Sequence, residues 1–214
     1  MFMGTKIGGN RKARPMTESP GQCPSADQTS HLRLLLAAGN VRAFNAAHKA
    51  ARKADPQFRL DLTGFNLTAT DLRRVELETA DFAGAELTKI NFGRARLKRS
   101  SFAGAKLTKV NFAEADLKGA NFAGASLNKI NFAGADLSWA DLKLAKLAGT
   151  LFSWSNLAGS DFAGADLTNA DLTGTNLAGS DFTGAKLASA DFTGAKLNKW
   201  TKGLNLQQLE AITK

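Results

Sequence analysis

A chain of 214 residues with 28 Lys and Arg against 19 Asp and Glu, net +9, is long enough for one ordinary domain and basic enough to suggest an anionic partner. Its single cysteine, Cys23, excludes an intramolecular disulfide, and no apolar run approaches the roughly 18 residues of a membrane-spanning helix. Residues Met1 to Ser30 lack the apolar block of a secretory signal, so a soluble protein of a reducing cytoplasm is expected.

The charge is concentrated at the front. Residues 1–59 hold 10 Lys and Arg against 3 Asp and Glu, whereas residues 60–199 hold 16 against 15. Residues 1–28 are dominated by Gly, Pro, Ser, Thr and Gln and carry Lys6, Arg11, Lys12 and Arg14. They cannot bury enough apolar surface to offset ordering, and a disordered tail is expected there. It reads as a solubilising tail, with a secretion, targeting or nucleic-acid-touching arm as the other roles open to it.

A helical hairpin is expected over residues 29–56. Gly39 suits a helix stop, Asn40 an N-cap and Asp55-Pro56 an end, while Val41, Phe44, Ala47 and Ala51 recur at helical spacing.

Residues 57–199 follow another rule. Every fifth position from Leu62 to Leu197 is Leu or Phe, all 28 of them. Two places earlier stands a small or modest apolar residue, usually Ala, and Asp or Asn usually lies between, as in Ala80-Asp81-Phe82 and Ala120-Asn121-Phe122. A period of five fits neither a helix nor a long strand. It is the mark of a solenoid, in which each unit buries its apolar side only against its neighbours.

In this motif the chain resembles the pentapeptide-repeat family. The resemblance implies an all-β solenoid, a right-handed four-sided β-helix in which each pentapeptide forms one side and four make a coil. Seven coils would result, with the helical hairpin as an N-terminal cap. Residues at intervals of twenty would then stack in columns about 4.8 Å per layer. One wall would hold Leu62, Phe82, Phe102, Phe122, Leu142, Phe162 and Phe182, and the opposite one Leu72, Phe92, Phe112, Phe132, Phe152, Leu172 and Phe192. Gly84, Gly104, Gly124, Gly164 and Gly184, each at the last place of a unit, suit the corners between sides. The recurring Asp and Asn would serve turn backbone groups, not acid–base chemistry. Residues 200–214 break the register at Trp200, and the spacing of Leu206, Leu209 and Ile212 predicts a short C-terminal capping helix.

No metal-ligand spacing, phosphate loop, dinucleotide fingerprint or nucleophile motif is present, so neither catalytic residues nor a metal or other cofactor is expected. Function must then lie on the outer faces, where two features interrupt the repeat. The first is basic: Lys89, Lys109 and Lys129 stack along one corner, Lys106 shares their side, and Arg94, Arg96, Lys98, Arg99 and Lys118 occupy neighbouring sides. The second is apolar: Trp139, Leu144 and Trp154 take last places and Leu151 replaces the usual Asp or Asn.

These features point to a non-enzymatic scaffold for protein–protein interaction, with an unidentified protein partner or a second copy in a homodimer and no small-molecule substrate. Two further readings stand beside it. The resemblance implies modulation of DNA gyrase by duplex mimicry, which needs an acidic surface; here only Asp161, Asp166, Asp171, Asp181 and Asp191 supply a local one. The front end and Lys ladder suggest binding to nucleic acid or an anionic membrane, although along the repeats the basic residues are not interleaved with exposed aromatics. Delivery as a secreted effector is a further role the resemblance implies, with no specific support in residues 1–30.

Overall fold

The computed structural model describes residues 26–205. In most units the Leu or Phe centre opens a four-residue turn. The carbonyl of Phe82, for example, accepts the N–H of Ala85 at 2.9 Å. The last residue of each unit, from Gly64 to Gly194, takes a φ between 53° and 74°. That combination is a type II turn, whose third residue must adopt positive φ. Three short strands, β1 (Asn66–Thr68), β2 (Glu86–Thr88) and β3 (Lys106–Thr108), form the second side of the early coils and pair in parallel.

Elsewhere the layers are joined by single parallel bridges between residues twenty apart, such as Asp61 to Asp81, Asp81 to Ser101 and Ser101 to Asn121. One turn of the solenoid therefore takes four pentapeptides. Each layer bonds both ways: Phe82 N–H donates to the Ser101 carbonyl at 2.7 Å and Asp81 N–H to the Leu60 carbonyl at 2.9 Å. An Asp or Asn before the centre caps the turn from outside in many units, as where Asp81 Oδ1 accepts the N–H of Ala83 at 3.0 Å and Asn121 Oδ1 that of Ala123 at 2.9 Å. This is why carboxylates recur without forming an acid pair.

The centres from Leu62 to Phe182, and Phe192, are buried, and Leu187 and Leu197 are partly so. Phe rings stack along two walls, 4.7 Å apart between Phe82 and Phe102 and 5.0 Å between Phe112 and Phe132. Across the interior they meet edge to face, as Phe102 and Phe112 do at 5.7 Å. The hydroxyls of Ser100, Ser160 and Ser180, which replace the small apolar residue, donate to the carbonyl three residues earlier at 2.6–2.7 Å, whereas the buried Ser155 hydroxyl has no partner among the described residues.

Helices α1 (Ala26–Ala37) and α2 (Val41–Ala54) precede the coils. α1 starts at Ala26, within the segment expected to be a tail; residues 1–25 of that segment lie outside the described residues. Gly39 has φ +66°, and the Asn40 side chain accepts the N–H of Ala43 at 3.2 Å. α2 continues the hydrogen-bond ladder onto the first coil. Asn45 donates to the Arg74 carbonyl at 3.1 Å and accepts the Glu76 N–H at 2.9 Å, in place of a preceding layer. Phe44 and Phe58 bury against the same end.

At the other end the expected helix is not present over residues 200–205. Thr201 Oγ1 donates to the Leu177 carbonyl at 2.9 Å, and Asn198 Oδ1 accepts from Gly179 and Trp200 at 2.9 and 3.0 Å, tying the segment to the last coil. Lys202 then bridges Asp181 at an interval of twenty-one, a slip of one residue. Residues 206–214, which carry the rest of the expected helix, lie outside the described residues.

Candidate interaction surfaces

Each pentapeptide projects its last residue from a corner, and corners twenty apart form four columns. Because the backbone there is left-handed, Gly is the unstrained occupant, and any other residue costs on the order of 1–2 kcal/mol. Lys89, Arg94, Arg99, Lys109, Lys129, Trp139, Leu144 and Trp154 all occupy such corners, with φ of 55–62°.

The apolar candidates follow a rule of their own. A Cβ on Gly159 would lie 2.6 Å from Trp139, on Gly164 2.8 Å from Leu144, and on Gly174 2.8 Å from Trp154. Each large corner side chain thus leans over a glycine in the next coil. They nevertheless stay open, Trp139 at 69%, Leu144 at 71% and Trp154 at 75% exposure. They do not form one patch. Leu151 and Trp154 lie on one side of a coil, Leu144 projects from another corner, and Trp139 lines a separate groove.

The basic candidates divide by their partners. Arg94 makes a two-pronged contact with Glu114 at 2.9 and 3.2 Å, Arg96 pairs with Glu78 at 2.7 Å, Lys98 with Asp116 at 3.0 Å and Lys106 with Glu86 at 2.9 Å. Glu78 also takes Arg52 of α2 at 3.2 Å, so this cluster fastens α2 to the first coils. Burial opposes ionisation of Glu78, but the guanidinium groups of Arg52 and Arg96 outweigh it and hold the carboxyl below its ordinary range. Lys89, Lys109, Lys129, Arg99 and Lys118 have no carboxylate partner among the described residues. The three corner lysines form a ladder with neutral Asn91, Asn111 and Asn131 on the adjoining side.

Two concavities matter for these groups. One of about 850 Å³ is lined by the paired Asp71 and Arg73, Arg74, Asn91, Arg94 and Glu114. Another, of about 580 Å³, is lined by Arg52, Glu78, Lys98, Arg99, Lys118 and Trp139. The second corrects the expectation that basic residues and exposed aromatics are kept apart. Residues 99, 119 and 139 share one column, so a Trp forty residues from Arg99 in sequence is its near neighbour in space. That relation could be read from sequence only by counting in twenties.

His48, which the sequence places in the helical cap, is buried on α2 between Phe44 and Phe58, with ring centroids at 5.4 and 5.9 Å. Burial, and then the nearby charge of Arg52, lower its pKa below the ordinary 6.5. Its Nε2 has no hydrogen-bond partner among the described residues. Among the described residues no group of three or more His, Cys, Asp or Glu is placed to hold a metal ion.

A stacked, twenty-residue coil of pentapeptides with an unbroken Leu/Phe core defines a β-helix solenoid. Family models for a pentapeptide repeat region and for pentapeptide repeats in eight copies match residues 75–152 and, in overlapping segments, 135–199. The chain belongs to the pentapeptide-repeat family. Both models describe repeats rather than an enzyme.

Among solved structures it is similar to HetL, a pentapeptide repeat protein involved in heterocyst differentiation regulation from the cyanobacterium Nostoc sp. strain PCC 7120. Identity is 26% over 69% of this chain and 90% of that one, with a TM-score of 0.30. It is 31% identical to alr5209, a pentapeptide repeat protein from Nostoc PCC 7120, over 47% of this chain and 80% of that one, with a TM-score of 0.34. Full-length QnrB1, a plasmid-mediated fluoroquinolone resistance protein, is 17% identical over 72% and 88% of the respective chains, with a TM-score of 0.41. No curated protein matches.

Proposed function

We propose that this protein is a non-enzymatic scaffold: a right-handed four-sided β-helix of about seven coils, capped by α1 and α2, that binds a partner protein through Leu151 and Trp154. The carrying observation is Trp154 itself. It holds φ +60°, where Gly would be unstrained, and yet remains 75% exposed. A side chain that gains so little burial at a strained position is best accounted for by an outer contact. Leu151 stands on the same side, 45% exposed, between Asn131 and Asp171 in its column.

The surface weighs against duplex mimicry. Lys89, Lys109 and Lys129 form an uncompensated cationic column where a mimic needs anionic groups, and Asp161 and Asp181 are engaged by Lys143 and Lys202 at 3.0 and 3.1 Å.

The test is capture from source-cell lysate, with and without nuclease, by the full chain and by its Leu151→Asn/Trp154→Gly variant. The expected result is a nuclease-resistant protein that the variant fails to retain. Equal capture by both proteins overturns the assignment to this side. Inhibition or protection of gyrase in a supercoiling assay would move the function to mimicry.

A further inference from the structure

The groove that joins Trp139 to Arg99 and Lys118 has the chemistry of a second binding site. We propose that it takes a nucleotide phosphate, with the base stacked on Trp139 and the phosphate held by Arg99 and Lys118.

The groove holds about 580 Å³ on the outside of the first to fourth coils, beside Arg52 of α2. Two of its cations are already committed, Arg52 to Glu78 at 3.2 Å and Lys98 to Asp116 at 3.0 Å. Arg99 and Lys118 are exposed and have no carboxylate partner among the described residues. They are the two charges left to meet an anion.

The glycines of the column shape the space. The Arg99 stem passes over Gly119, its Cγ 3.7 Å from where a Cβ would be, so the side chain leans along the column towards the layer of Trp139. The benzo edge of Trp139 rests on Gly159, which fixes one face of the indole while 69% of the residue stays exposed. Arg99 lies two layers before Trp139, about 10 Å away at the usual layer spacing, and Lys118 belongs to the layer between. A guanidinium and an ammonium that line one groove with an exposed indole match a phosphate and the base it carries. An acidic peptide would satisfy the cations but offer no planar group to the ring.

A free nucleotide and a single strand of nucleic acid share this chemistry. The groove adjoins a second one in which Arg52 and Arg96 are paired with Glu76 and Glu78 and Lys49 and Lys53 of α2 carry the remaining positive charge, so a strand would continue towards those two lysines.

The test uses the full chain carrying Trp154→Phe and Trp200→Phe, which leaves Trp139 as the sole tryptophan. Its fluorescence is titrated with adenosine monophosphate, short single-stranded oligo(dA) and poly-glutamate. Saturable quenching by the nucleotide or the oligonucleotide is expected, weakened about tenfold or more by Arg99→Gly and by Lys118→Ala. Arg99→Gly suits the corner, where φ is +55°, so folding is retained and circular dichroism verifies it. Saturation by the monophosphate identifies a free-nucleotide site, and a response to the oligonucleotide alone, falling steeply with salt, identifies a single-strand site. No quenching by either, quenching indifferent to Arg99 and Lys118, or an equal response to poly-glutamate overturns the proposal. Leu151 and Trp154 take no part, so failure here leaves the protein-binding reading intact.

Discussion

At the scale of the residue, the left-handed corner governs what the chain can display. Gly84 has φ +65° and a Cβ there would meet nothing within 4 Å, so Gly84→Ala isolates the backbone strain; a loss of about 1 kcal/mol is expected in denaturant unfolding. Gly159 has φ +68°, but a Cβ would strike the Trp139 ring at 2.6 Å. Gly159→Ala should therefore cost more than Gly84→Ala, and in a Trp139→Gly background the excess should vanish. An excess that persists without the ring would refute the packing of Trp139 on Gly159. The pattern of large residue, then Gly twenty places later, was present in the sequence at 139 and 159, 144 and 164, and 154 and 174. It was not legible as packing until the direction of the lean was known, because a period of five says which residues reach the corner and not which neighbour they cover.

At the scale of the element, α2 stands in for a missing layer. Asn45 reproduces the backbone bonds of a coil, and Phe44, His48 and Phe58 close the apolar end. The junction between the helices and the end of α2 were legible because Gly39, Asn40 and Asp55 carry known backbone roles, but the start of α1 at Ala26, inside the expected tail, was not. The slip at Lys202 was not, since it depends on side-chain bonds from Asn198 and Thr201 that leave no periodic trace. His48 makes α2 sensitive to acid. Its folded pKa lies below the ordinary 6.5, so the unfolded chain binds more protons across the interval between the two values. The contribution is whole above about pH 6.5 and declines as pH falls through 6.5 towards the lowered folded value. His48→Phe should flatten this limb of the stability profile. A slope unchanged by the substitution would show that His48 is not its source. Asp181 acts further down. Bonds from the Thr183 hydroxyl and N–H, and then Lys202, hold its pKa at about 2, so what it contributes is present above 3.8 and lost as pH falls through about 2.

At the scale of the whole molecule, core and surface are encoded separately. The centres and the small residues before them fill an interior that was almost wholly legible in the sequence, because stacking every twenty residues repeats one packing problem. The surface was only partly legible. Arg94 and Glu114 are twenty apart and pair within a column, but Arg96 with Glu78 and Lys98 with Asp116 cross columns and depend on side-chain reach. These pairs remove Arg94, Arg96, Lys98 and Lys106 from the free cationic surface and leave Lys89, Lys109, Lys129, Arg99 and Lys118. If Trp154 is carried at its strained corner for an outer contact, as proposed, the fold should lose little without it. The direct test is denaturant unfolding of Trp154→Gly beside Phe152→Ala, two residues away in sequence but inside the core. Trp154→Gly should stay within about 1 kcal/mol of the parent, relief of strain offsetting the lost contact with Gly174, while Phe152→Ala should lose about 3–5 kcal/mol. A loss at Trp154 as large as that at Phe152 would show that the corner tryptophan holds the coils together, and would contradict its assignment as a binding residue.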